Sequence, residues 1–296
     1  MELSSLKNFK TRRVFTGYLF CLAAIVFFVV FKYIPILSSF WLSLFDYQPA
    51  SQTYIGLQNF KSLAKDPIFW QALLNTTLLV LAIGSVGTVL GYALALAFRG
   101  GMPGGKFFRT LFFLPVVTTI TVIALVFRIL YNPVGLGFSI NGFLNLIGLP
   151  PQPFLSDEKQ ALVSVMIPLI WKIAAYNMII FIAALDGIDP QIVEVADVEG
   201  ASFSQKLRYV FLPCTRYSIT IVVILAVMRT YRIFVPIYVM TFGDPNHATE
   251  TITTWIYKKS FRFWEMGYGS AMSAVLFVII LALTVVQLRI GREKNV

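Results

Sequence analysis

Six apolar runs, each long enough to cross a bilayer, constrain this chain more than anything else in it. They occupy residues 13–36, 70–98, 107–131, 160–185, 217–242 and 267–290. A spanning helix needs roughly 20 mostly apolar residues. Backbone groups in hydrocarbon must be satisfied within the segment, and no run alternates as a barrel strand would. The expectation is therefore an all-α, polytopic membrane protein with six transmembrane helices. Composition agrees: 57% of the 296 residues are hydrophobic, only 13% are charged, and the mean hydropathy is +0.76. This excludes a disordered chain, a collagen and a disulfide scaffold.

The first run follows Lys7, Lys10, Arg12 and Arg13, as a secretion signal would. Its apolar stretch is long and no small-residue cleavage site follows, so it reads as an uncleaved anchor. Basic residues are shared unevenly between the connections. One side carries thirteen, among them Arg99, Lys106, Lys206, Arg208 and Arg216, and the other carries six, among them Lys61, Lys159 and Arg262. The positive-inside rule then places both termini in the cytoplasm, with tails 1–12 and 291–296 flanking one transmembrane domain, 13–290. Trp41, Trp70 and Trp264 fall near the opposite boundary, where aromatic belts sit. The net charge of +10 flanks apolar runs, which suits a membrane surface and not a nucleic acid.

Several chemistries are excluded. Cys21 and Cys214 make no disulfide framework, and a single histidine, His247, builds no metal site. His247 reads as a surface residue of a non-cytoplasmic loop. Residues 100–106 fit Gly-x4-Gly-Lys, but the Ser/Thr that would hold magnesium is missing and no strand precedes, so no nucleotide role is assigned. No nucleophile stands with a base, so no enzymatic site is expected. The link 132–158 should hold an interfacial helix around Phe143, Leu144 and Leu146. Gly84, Gly87 and Gly91 permit close helix packing.

The loop 186–216 has the densest local grammar. Asp189-Pro190 reads as an N-cap followed by proline at the first helical position. Gly200 reads as a C-terminal stop. Ser202-Phe-Ser-Gln205 offers a capping box for a second short helix, which Pro213 ends. The first helix is acidic, with Asp189, Glu194, Asp197 and Glu199, and has small residues at Ala196 and Ala201. Such a helix either enters the cleft of a basic partner or is a solvated acidic face.

Glu194-Val195-Ala196-Asp197-Val198-Glu199-Gly200, nine residues, then Val210-Phe211-Leu212-Pro213, resembles the EAA loop of ABC importer permeases: Glu-Ala-Ala, three residues, Gly, nine residues, Ile-x-Leu-Pro. Val195 and Val210 are mild departures. Other segments are similar to the carbohydrate-uptake (maltose- and glycerol-phosphate-like) branch: Gly56-Leu-Gln-Asn59-Phe60, Asn75-Thr76, Trp171-Lys172 with Tyr176-Asn177-Met178, and Gly243 to Thr251 leading to Gly267-Tyr268-Gly269. Asp244 stands where that branch usually has glycine.

The resemblance implies the type I permease fold and a multi-pass place in a prokaryotic inner membrane. It implies a chain that pairs with a second homologous permease subunit, served by a dimeric cytoplasmic ATPase and an extracytoplasmic solute-binding protein. ATP and magnesium would be used by the ATPase, with no cofactor on this chain. Glu194, Ala196, Asp197, Gly200, Ala201, Leu212 and Pro213 would form the coupling contact, and the cargo would be a sugar, oligosaccharide or polyol.

Ionisable residues within spans are costly and point to function. Lys32 and Arg128 lie near span ends and can snorkel. Lys172 belongs to the Trp-Lys pair and either serves the substrate path or packs helices. Arg229 and Arg232 sit mid-span, three apart, hence on one helical face. The branch often carries an acidic residue where Val235 stands. The two arginines either line the translocation cavity, holding sugar hydroxyls or an anionic group, or bond to the partner subunit. Tyr176, Asn177 and Tyr231 are further polar candidates. The competing reading is an ion-coupled secondary carrier of a small polar or anionic solute. Such carriers use internal repeats and acidic residues within spans, and neither is evident.

Overall fold

The computed structural model describes residues 16–48, 51–99, 105–132 and 139–293, and these are mostly helical. The 100–106 motif falls partly outside them. In chain order, α1 (Thr16–Leu42) precedes a hairpin of β1 (Phe45–Gln48) and β2 (Ser51–Tyr54), α2 (Gln58–Lys65) and α3 (Pro67–Arg99). Next come α4 (Gly105–Val117), α5 (Ile120–Leu130), the short α6 (Ile140–Leu146) and α7 (Glu158–Asp186). The second half holds α8 (Pro190–Val198), α9 (Phe203–Cys214), α10 (Arg216–Thr230), α11 (Val235–Met240), α12 (Ile252–Tyr257) and α13 (Met266–Glu293). Four of these helices are long and apolar enough to cross a membrane, and there are six crossings if each of two bent pairs counts as one.

Proline explains most departures from straight spans. Pro35 and Pro213 lack the N–H that a helix interior needs. Each follows a single π turn, Val29–Tyr33 and Leu207–Phe211, in which the next N–H (Ile34, Leu212) reaches back five residues. The widened turn makes room for the ring, so α1 continues to Leu42 and α9 to Cys214. Pro213 therefore lies inside the second loop helix, where the sequence suggested that it ends it. The expected third span is broken at Thr118–Thr119, with α4 and α5 meeting at 106°. Pro115 weakens the last turn of α4, and Thr119 is extended (φ −64°, ψ 146°). The expected fifth span, 217–242, is not one helix either. Pro236 sits in the first turn of α11 and has no N–H to donate to the preceding turn, and residues 231–234 link two helices.

Two compact units emerge. One contains residues up to Lys65 together with Lys258–Val275. Its hairpin pairs Phe45 with Tyr54 and Gln48 with Ser51. Hydropathy did not reveal it, although Phe45, Tyr47, Thr53 and Tyr54 favour strands. Asn59 Nδ2 donates to the carbonyls of Ser43 and Phe45, 2.9 Å each, fixing α2 to the hairpin. Gly267 lies so close to the Phe45 carbonyl that no side chain fits.

The other unit comprises Asp66–Tyr257 and residues from Leu276. Its centre is the contact of α3 with α7, joined by α10. A Cβ on Gly91 would stand 2.7 Å from Asn177 Cβ and 2.9 Å from the Ala174 carbonyl, and one on Gly87 would stand 2.9 Å from Ile173 Cγ2. These glycines let the two helices touch backbone to side chain. Apolar clusters fill either side of this crossing. One joins Tyr92, Phe181, Leu185 and Phe211, and the other joins Leu79, Ile83, Leu169 and Ile237. The helix expected around Phe143 is α6, capped by the Ser139 hydroxyl, with Phe143 and Leu146 exposed.

Candidate functional site

The 186–216 loop folds through its local caps. The Asp189 carboxylate accepts from Gln191 N at 3.0 Å and starts α8. At the other end Gly200 adopts φ +73°, Ala201 N donates to Ala196 O (2.9 Å) and Gly200 N to Asp197 O (3.1 Å). Those two bonds are the 6→1 and 5→2 pair of a Schellman motif, which turns the chain sharply after α8. Ser202 and Gln205 form the reciprocal capping box that starts α9. Asp197 is bonded to Lys206 Nζ at 2.6 Å across the corner, so this carboxylate braces the loop itself.

The loop is fastened to the helical core. Ile188 and Phe211 are buried there, and Tyr92 of α3 bonds its hydroxyl to Thr215 Oγ1 at 2.9 Å. Thr215 in turn donates to Phe211 O, at the 70° bend between α9 and α10. The Arg99 guanidinium lies 4.9 Å over the Phe211 ring. Three apolar side chains of α8 remain outward beside its acidic ones: Ile192, Val195 and Val198 are 47%, 62% and 87% exposed. Glu194, Leu212 and Pro213 are also exposed, and Ala196 and Ala201 are half-buried.

A second constellation lies among α4, α5, α7 and α10. A cavity of about 370 Å³ is lined by Lys172, Tyr176, Arg229, Thr230, Arg232 and Phe234, with aliphatic residues such as Ile83, Ile120 and Ile173. Its volume falls within the roughly 300–1,000 Å³ of ligand pockets. Lys172 Nζ donates to the carbonyls of Pro115 and Thr118, 2.6 Å each. It thus caps the broken end of α4. Arg229 stacks on Tyr176 (4.3 Å to the ring centroid) and donates to its hydroxyl at 3.1 Å. Arg232 donates through Nε to Met228 O at 3.0 Å. Because the fifth span is broken, Arg229 lies in the last turn of α10 and Arg232 lies in the link, so they do not share a face of one continuous helix.

The other two polar candidates are elsewhere. Asn177 is buried against Gly91, and Tyr231 is buried with its hydroxyl 3.4 Å from Thr77 Oγ1. Arg128 is bonded to Val239 O at 2.9 Å, near the C-terminus of α11, which suits a cation. Lys32 lies 5.9 Å from the Phe28 ring. Among the described residues no cluster of metal-ligating side chains occurs.

A polar knot escaped the sequence reading. His247 is half-buried and its Nδ1 lies 2.9 Å from Oε2 of Glu250, which is 0% exposed, so it is not a plain surface residue. Asn75 of α3 donates to the carbonyls of His247 (3.2 Å) and Glu250 (3.0 Å), and Ile252 N donates to Thr76 Oγ1 (3.1 Å). The loop 243–251 is thereby fastened to α3. The i, i+3 spacing of His247 and Glu250 was the available signal.

The family model described as binding-protein-dependent transport system inner membrane component matches residues 87–294. The probable ABC transporter permease YurN of Bacillus subtilis is 36% identical over 288 residues, covering 94% of this chain and 97% of that one. The lactose transport system permease LacF of Rhizobium radiobacter is 30% identical over 100% of both chains. In solved structures, a chain of a bacterial ABC transporter involved in the import of the polysaccharide alginate superposes with a TM-score of 0.86, covering 96% of this chain and 97% of that one at 23% identity. That last likeness is one of fold.

Proposed function

The chain belongs to the family of binding-protein-dependent transport system inner membrane components, and from that premise we propose that it forms half of the translocation path of an ATP-driven sugar importer. Its partners are a second homologous permease subunit, a dimeric cytoplasmic ATPase that uses ATP and magnesium, and an extracytoplasmic solute-binding protein. The chain itself hydrolyses nothing. Both termini and the 186–216 loop lie in the cytoplasm, consistent with the excess of basic residues on that side.

One observation carries this reading: α8 is a rigid, capped helix whose apolar face is exposed while its base is bonded to α3 through Tyr92 and Thr215. A partner that seats Ile192, Val195 and Val198 would move α8 as a lever, with Glu194 pairing to the partner's basic residues. The motion reaches α10 through the bend at Thr215, and α10 carries Arg229 to the cavity wall. ATP drives the exchange only if it binds one permease state better than the other. Lys172, Tyr176, Arg229 and Arg232 line the path.

Purification of the tagged chain from its native membrane tests the proposal. Recovery of a second permease-like chain and an ATPase, and ATP-dependent uptake by the reconstituted assembly, are expected. A chain that purifies alone and transports without ATP overturns it in favour of an ion-coupled carrier.

A further inference from the structure

Lys172, Arg229 and Arg232 bring three cationic groups to one cavity. The depth is considerable. Arg229 is thirteen residues along α10 from Arg216, about 20 Å at the helical rise. Tyr176, its stacking partner, is ten residues from the end of α7 at Asp186, about 15 Å. A bilayer core is about 30 Å thick, so with Arg216 and Asp186 at its boundary the guanidinium groups fall well inside it, where a charge needs a counter-charge or water.

Among the described residues, none that lines the cavity is acidic. The sequence has no Asp or Glu between residues 67 and 156, between 159 and 185, or between 200 and 243. Those intervals contain every residue that lines the cavity. Lys172 is engaged by two carbonyls of α4, which fixes it as a strut. Arg229 and Arg232 each make one hydrogen bond to their own chain, to Tyr176 and to Met228, which leaves further donors of each planar fork available to a ligand. A guanidinium with donors to spare matches a carboxylate, phosphate or sulfonate in a two-bond contact.

We propose that the cargo is an anionic saccharide, its acidic group taken by Arg229 and Arg232 and its ring faces by Tyr176 and Phe234. This rests on the importer reading above. Salt bridges to a partner permease subunit would satisfy the charges too, but they require contact and not a ligand-sized cavity beside the arginines. A neutral sugar would leave both guanidinium groups without a counter-charge inside the bilayer core.

The test is equilibrium binding to the assembled importer, isolated from its native membrane in nanodiscs without the solute-binding protein. The probes are size-matched: digalacturonate against lactose, and glucose 6-phosphate against glucose. At least one acidic probe should bind tenfold or more tighter than its neutral counterpart, with the preference weakening as salt rises. Arg229→Gln and Arg232→Gln should erase the preference, and Arg229→Lys with Arg232→Lys should retain it at lower affinity. Equal or tighter binding of the neutral sugars overturns the proposal. So does displacement of the acidic probes by inorganic sulfate at equal concentration, which would mean a bare-anion site. Loss of the second permease subunit from the glutamine variants overturns it in favour of subunit pairing. Absence of all binding in a complex that still contains its ATPase overturns the anionic cargo alone, whereas absence of the ATPase overturns the importer reading itself.

Discussion

Lys172 Nζ donates to the main-chain carbonyl of Thr118 at 2.6 Å, closing over the break between α4 and α5 from a helix 54 residues further along the chain. The same ammonium takes the Pro115 carbonyl. A helix end in hydrocarbon leaves carbonyls that water would otherwise satisfy. Lys172→Met should therefore lower the stability of the detergent-solubilised protein by about 1–3 kcal/mol, the cost of a buried unsatisfied group. Lys172→Arg should recover part of it. Thermal unfolding of the three proteins checks this, and a methionine variant as stable as the parent removes the strut.

Gly91 and Gly84 lie on the same helix but should respond oppositely to alanine. A Cβ on Gly91 meets Asn177 Cβ at 2.7 Å and backbone at 2.9 Å, whereas on Gly84 its nearest neighbour is Ala226 Cβ at 4.0 Å. Gly91→Ala forces α3 and α7 apart and should cost about 1–3 kcal/mol. Gly84→Ala should be neutral within about 0.5 kcal/mol. Melting temperatures that move together would mean that the close crossing does not limit stability.

Gly200 has open space around its α-carbon, so only its positive φ constrains it. Asparagine tolerates that conformation, alanine loses about 1–2 kcal/mol in it, and proline cannot enter it. ATP-driven uptake should fall in the order Gly200→Asn, Gly200→Ala, Gly200→Pro, with all three proteins reaching the membrane. Glu194→Lys should also abolish uptake. Full transport by the proline variant sinks the lever.

The Tyr92–Thr215 bond joins α3 to the bend below α10. A double-mutant cycle with Tyr92→Phe and Thr215→Val should give a coupling energy of about 1 kcal/mol. If the bond transmits motion, the single variants also lower uptake per ATP hydrolysed. A coupling near zero, with unchanged stoichiometry, assigns the pair no part in transmission.

The loop was legible because its signals are local. Asp189, Gly200, Ser202 and Gln205 each act within three or four residues, and all four cap as their chemistry dictates. The apolar runs were equally legible as membrane segments. Their interruptions were not: hydropathy averages over some twenty residues and passes over Thr118–Thr119 and residues 231–234. What makes the first break tolerable is Lys172, a tertiary contact with no trace near Thr118. Arg229 and Arg232 were recognised as costly, but their shared helical face depended on a continuous helix that Pro236 prevents. The His247–Glu250 pair was not legible because nothing in the sequence says that Glu250 is buried.

The stretches free of acidic residues have a bearing on the membrane as an insulator. A passage that opens alternately to each side is a route by which protons or sodium ions could leak. Arg229 and Arg232 stand on the wall of that passage, and positive charge in a pore wall is an electrostatic barrier to cations. With no carboxylate among the residues that line the cavity to relay a proton, the wall of this chain is built to stay tight while it moves cargo. Proteoliposomes holding the Arg229→Gln, Arg232→Gln double variant should then dissipate an imposed pH gradient faster during ATP turnover than those holding the parent. Equal decay would assign the insulation to other parts of the assembly.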